Sequence, residues 1–142
     1  MMKTLMVIVI IILGFNVYSL FVSPVPDAVK NAFEKKFSTS NDVTWSKQDS
    51  AHYEAQFSMH GIDTQAYFTS NGKWLETQTE IALSQLPKKV IESITKRYPD
   101  CSIVDAEKIE EADNKVFYET EIMSPRTNKQ LEFKNDGTVY KQ

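Results

Sequence analysis

The chain has 142 residues, a formal charge of −3 from 16 Lys and Arg against 19 Asp and Glu, and a single cysteine. Basic residues interleaved with acids lack the clustered positive charge that phosphate neutralisation requires, so nucleic acid is excluded as an expected partner. One cysteine closes no internal disulfide, which leaves two Trp, six Tyr and eight Phe to build the core.

In chain order, Lys3 is followed by an aliphatic run from Leu5 to about Phe15, shorter than the roughly 20 residues of a bilayer span. Ser19 or Ser23 offers a small residue for cleavage, so residues 1–23 read as a signal peptide. Phe15, Val17, Tyr18, Leu20, Phe21 and Val22 lengthen the apolar stretch and leave an uncleaved anchor open; that would be the only membrane contact expected. Either reading exports the domain, and the periplasm is the expected location. Lys3 is the one charge in this stretch, so its loss turns 16 basic residues into 15 and the formal charge into −4.

The remaining chain looks internally repeated. Val25-Pro26-Asp27-Ala28-Val29-Lys30 through Lys35-Lys36-Phe37 aligns with Leu86-Pro87-Lys88-Lys89-Val90-Ile91 through Lys96-Arg97-Tyr98. Proline in each marks a helix start, where its missing N–H costs nothing. Val25, Val29, Ala32, Phe33 and Phe37 form one apolar stripe, and Leu86, Val90, Ile91, Ile94 and Tyr98 another. Further on, Tyr53-Glu54-Ala55-Gln56-Phe57 matches Tyr118-Glu119-Thr120-Glu121-Ile122, and the turn dipeptides Asn71-Gly72 and Asp136-Gly137 match one another.

Strands are predicted over 43–48, 51–59, 62–70 and 73–79, and again over 102–111, 115–123, 129–134 and 138–140. Ile81, Leu83 and Leu86 in the connection are expected to pack. The predicted fold class is α+β: two tandem helix-plus-four-stranded antiparallel meanders, residues 24–80 and 81–142, with sheets side by side and helices on one face. Alternation gives the helices the face of Tyr53, Ala55, Phe57 and Met59 with Ile62, Thr64, Ala66 and Phe68, and of Val116, Tyr118, Thr120, Ile122, Leu131 and Phe133. The opposite face then shows His52, Glu54, Gln56, Asp63, Gln65 and Tyr67, continued by Phe117, Glu119, Glu121 and Glu132. A solvated antiparallel face is ordinarily polar; Tyr67 and Phe117 single this one out, because aromatics are enriched where partners bind.

The run Val25-Pro26 with Ala28-Val29-Lys30, Val43 with Trp45, Tyr53-Glu54-Ala55, Asn71-Gly72-Lys73-Trp74-Leu75-Glu76-Thr77, Leu86-Pro87 with Val90, and Tyr98-Pro99 resembles the β-lactamase-inhibitor-like, PepSY-like family of exported bacterial proteins. The resemblance spans nearly all of the mature chain, and it implies tandem units, a concave sheet surface and a periplasmic setting. In inhibitor proteins of this architecture the sheet face grips an enzyme. The second copy departs from the pattern, with Ala106 where Trp45 would repeat and Tyr140 near the place of Trp74.

No G-x-S-x-G elbow occurs, and His52 and His60, on a solvated strand face and a hairpin tip, lack the partners of a nucleophilic centre. His52 with Glu54, or Met59 with His60 and Asp63, falls short of a converging metal-ligand set. No catalytic residue, metal ligand or cofactor is expected. The expected function is non-catalytic: a protein or peptide partner held on the sheet face by Tyr67, Phe117, Gln56, Glu119 and Trp74, with an inhibited enzyme as one form of it. Trp45 and Trp74 read first as core or sheet-edge packing, with a contact on the concave face as the functional alternative. The alternative is a small-ligand or envelope-stress sensor module that uses the groove between the two units.

Overall fold

The computed structural model describes residues 24–141; the proposed signal peptide lies outside them. Element order is α1 (Asp27–Lys36), β1 (Asn41–Lys47), β2 (His52–Met59), β3 (Ile62–Thr69), β4 (Trp74–Glu80), a 3₁₀ turn (Leu83–Gln85), α2 (Lys88–Arg97), β5 (Ser102–Glu111), β6 (Val116–Ser124), β7 (Thr127–Lys134) and β8 (Val139–Lys141). All eight strands form one antiparallel sheet in sequence order. The fold is thus α+β, and the strands before and after the connection are joined directly, from Glu76↔Glu111 to Glu80↔Glu107.

Each helix begins just after its proline. The Pro26 carbonyl accepts from Val29 N and the Pro87 carbonyl from Val90 N, both at 2.9 Å, so the proline closes the first turn from outside rather than occupying it. Lys35 and Lys36, and Lys96 and Arg97, sit in the last turns, where cations suit the helix dipole. Val29, Phe33 and Phe37 bury against Tyr53, Ala55, Phe57, Ala66 and Phe68. Val90 and Ile94 bury against Ala106, Ile122, Leu131 and Phe133.

Register shows that both helices cover the same face. Ala66 pairs with Thr77, Thr77 with Glu110, and Glu110 with Val116, a row on the helix side that runs from one core to the other. Trp45 pairs with Ala55 and meets Phe33 edge-on at 5.2 Å between ring centroids, so it is core. Ala106 pairs with Thr120 at the corresponding place and is buried.

Two expectations fail in the connection and the second helix. Leu83 is 42% exposed, because the 3₁₀ turn points it outward while Leu86 enters the core. Ile91 stands at the margin of its stripe and is exposed, leaving Val90 and Ile94 to fill the interface.

Candidate functional site

The sheet face opposite the helices has no layer over it among the described residues. Cross-strand pairing arranges its side chains in rows perpendicular to the strands. One row runs Ser46, Glu54, Tyr67, Glu76 and Glu111. The next runs Thr44, Gln56, Gln65, Gln78, Ile109, Phe117 and Lys134. A third runs Glu80, Glu107, Glu119 and Glu132 and ends at Lys141.

That third row is a ladder of four glutamates on four adjacent strands. Like charges directly opposite in a sheet are destabilising, and here three such pairs follow one another along the row. Lys141 offsets only the end, with Nζ 3.4 Å from Glu132 Oε1. The central side chains shield one another from water. Burial, with Glu107 and Glu132 adding to it, pushes Glu119 up to about 7, and Lys141 opposes the rise. Burial raises Glu107 and Glu76 as well, and Asp105 and Glu80 reinforce it at Glu107.

Tyr67 occupies the centre of the first row, half-buried, and its hydroxyl donates to Gln65 Oε1 at 3.0 Å. Burial first, then Glu54, Glu76, Glu107 and Glu119, holds its phenol well above the ordinary value, so it remains a donor throughout the physiological range. Beside it Glu54 is only 3% exposed. Ser46 Oγ at 3.2 Å, Gln56 Nε2 at 2.6 Å and Gln48 Nε2 all donate to its carboxylate, which is how a buried acid is ordinarily held. Gln56 is therefore on the open face as expected, exposed, and committed to Glu54.

Trp74 is not on this face. Strict alternation from Glu76 would place it there, but Tyr67 pairs with Glu76 while Phe68 pairs with Trp74. Leu75 is the extra residue of a β-bulge, which reverses the alternation. Trp74 turns to the helix side, donates from Nε1 to Thr77 Oγ1 at 3.0 Å and lies under the Lys36 ammonium, 3.5 Å from the ring centroid. The same bulge recurs in β8, where Glu132 pairs with Lys141 and Phe133 with Val139. Val139, not Tyr140, thus holds the place of Trp74.

Phe117 is on the open face but only 3% exposed. Tyr140, the bulge residue, stacks over it at 4.2 Å between centroids and is itself 44% exposed. The accessible aromatic at that end is Tyr140, and buried Ile109 continues the apolar patch inward. Sequence patterning missed Ile109 because Ala106 and Ile109, both buried, point to opposite faces of β5.

Chemically, the face offers carboxylates, amide side chains and a phenol around an apolar patch, a set suited to Lys and Arg side chains flanking an apolar residue. His52 Nδ1 lies 2.7 Å from Asp49 Oδ2, both exposed, at the margin of the face. His60 is in the β2–β3 turn with φ 56°. No group of three or more His, Cys, Asp or Glu placed to hold a metal occurs among the described residues. On the helix side, a groove of about 470 Å³ is lined by Lys36, Trp74, Thr77, Glu110, Asn114 and Lys115 among others.

The sequence matches the family described as "putative beta-lactamase-inhibitor-like, PepSY-like" over residues 16–63 and 51–141. No curated protein matches the chain. Among solved structures, a putative periplasmic protein from Bacteroides eggerthii is 26% identical, with a TM-score of 0.76 over 83% of this chain and 87% of the other. A DUF2874 family protein from Bacteroides uniformis is 23% identical, with a TM-score of 0.75 over 82% and 86%. A BLIP-like protein from Bacteroides fragilis is 21% identical, with a TM-score of 0.69 over 82% and 83%. The chain belongs to the PepSY-like, beta-lactamase-inhibitor-like family.

Proposed function

We propose that this family member is a non-catalytic periplasmic binding protein that holds a protein or peptide partner on its open sheet face, and that the partner presents Lys or Arg side chains. The observation that carries the reading is the uncovered face itself, with Tyr67 and Tyr140 set among Glu76, Glu107, Glu119 and Glu132. Eight strands at ~4.8 Å spacing and ~20 Å of strand length make roughly 700 Å², near the ~800 Å² per partner of an ordinary stable complex. Opposite charge on the partner would relieve the repulsion along the glutamate ladder and speed the encounter.

Export to the periplasm is supported by the aliphatic N-terminal stretch and by the periplasmic description of the Bacteroides eggerthii neighbour. The family description and the BLIP-like neighbour make an enzyme the first partner class to try. We also read the chain as two copies of one helix-plus-four-strand unit, supported by the matching bulges in β4 and β8. A photocrosslinking residue tests the docking face: at Gln78 it should capture the partner, and at Glu34, on the exposed side of α1, it should not. Capture from Glu34 alone would reject the sheet face.

A second reading rests on the groove beneath Lys36 and Trp74, whose size suits a small ligand. It predicts that a metabolite panel raises the melting temperature and that Lys36→Ala removes the rise.

A further inference from the structure

We propose that the two inner members of the ladder, Glu107 and Glu119, share a proton at neutral pH, so that the open face takes up or releases a proton as its partner leaves or arrives. The reason is positional. Each inner glutamate has a carboxylate directly opposite on both sides: Glu107 lies between Glu80 and Glu119, and Glu119 between Glu107 and Glu132. Of the outer two, Glu80 is exposed and Glu132 has Lys141 on its far side.

The charged groups around Glu119 on this face are Glu107 and Asp105 from β5, Glu121 two residues along β6, Glu132 from β7 with Lys134 two residues beyond it, Lys141 from β8 and, farther off, Tyr67 from β3 and Glu80 from β4. Lys141 and Lys134 therefore face a larger set of acids, and both helices lie on the other side of the sheet. Carboxylates at such spacing in a half-buried row titrate as a coupled set, the last proton leaving late. Burial acts in the same direction on both inner members. An arriving ammonium or guanidinium group replaces the shared proton, so affinity for a cationic partner rises with pH across the upper titration step. This consequence rests on the docking reading above; the shared proton does not.

The test is a side-chain carboxyl ¹³C NMR titration of the domain from Pro24 onward, which contains both cores and all eight strands of the described residues. Glu107 and Glu119 should show a coupled two-step curve with the upper step near pH 7. Glu119→Gln should collapse the Glu107 curve to a single step at lower pH, and Lys141→Met should move the upper step of the pair upward. Two independent single-proton curves below pH 5, unchanged at Glu107 by Glu119→Gln, would overturn the proposal. The titration needs no partner, so its failure leaves sheet-face docking standing, and a failed crosslink from Gln78 leaves the shared proton standing.

Discussion

Gly72, at the tip of the β3–β4 hairpin, lies directly against the main-chain carbonyl of Ala28 in the first turn of α1. A Cβ on Gly72 would sit 2.9 Å from the Ala28 carbonyl carbon and closer still to its oxygen. Gly137 meets the carbonyl of Lys89 in the same way, at 2.8 Å from its carbon. Both glycines have positive φ, 84° and 80°. Each hairpin tip is thereby locked to the start of a helix, fixing the helix across the sheet.

Substitution at these tips should be costly for two separable reasons. Gly72→Ala and Gly137→Ala combine left-handed strain with a steric clash and should lose about 2–4 kcal/mol of stability. Gly61, with φ 78° and nothing within 4 Å of its would-be Cβ, isolates the strain: Gly61→Ala should lose only about 1 kcal/mol. Urea unfolding of the three variants measures the difference; equal losses would show that the contact with the helix carries nothing.

Phe33 is the hub of the first core. Its ring lies 5.2 Å from Trp45, 4.9 Å from Phe57, 5.3 Å from Phe37 and 6.3 Å from Phe68. Phe33→Ala should cost about 3–5 kcal/mol, and Phe33→Leu appreciably less, as read by chemical denaturation.

At the far end of the sheet the two stacked aromatics should behave oppositely. Phe117→Ala removes a buried ring and should cost about 3 kcal/mol or more. Tyr140→Ala removes a partly exposed cover and should cost about 1 kcal/mol or less, beyond which it uncovers Phe117. Similar losses in both would mean that Tyr140 is as structural as Phe117 and not merely its cover.

Stability should fall as pH rises toward neutrality. A carboxyl whose folded-state pKa is raised binds its proton more tightly in the folded chain. Its stabilising contribution is complete below the unfolded value and is lost as pH climbs through the folded one. Glu119 moves from 4.5 to about 7, so the window is pH 4.5 to 7. Glu119→Gln should flatten the profile there and leave the variant more stable than wild type at pH 8, by about 1 kcal/mol once solvent screening of the partly exposed carboxyl is allowed for. Melting curves across this range check it; a wild type that gains stability from pH 5 to 7 would contradict the raised value.

Most of the sheet and both helices were legible because period-2 and period-3.6 patterns, Pro starts and Asn71-Gly72 and Asp136-Gly137 turns act locally. The faces of β2, β3, β6 and β7 followed from the same alternation. What escaped depended on register across distant strands. Trp74 changes face because of one extra residue, Leu75, that no local pattern reveals. Phe117 looked accessible because its cover, Tyr140, arrives from β8, more than twenty residues further along the chain. The glutamate ladder needed the β4–β5 pairing across the connection, which alone brings Glu80 opposite Glu107 and lines both up with Glu119 and Glu132.

The most direct measurement is a quantitative pull-down from periplasmic extract with three baits: the wild-type domain, an open-face variant carrying Tyr67→Ala and Glu119→Lys, and a helix-side variant carrying Lys36→Ala and Lys115→Ala. Sheet-face docking predicts a protein retained by the wild type and the helix-side variant and lost, at least tenfold, from the folded open-face variant. Equal retention by the open-face variant, or loss from the helix-side variant alone, would contradict it.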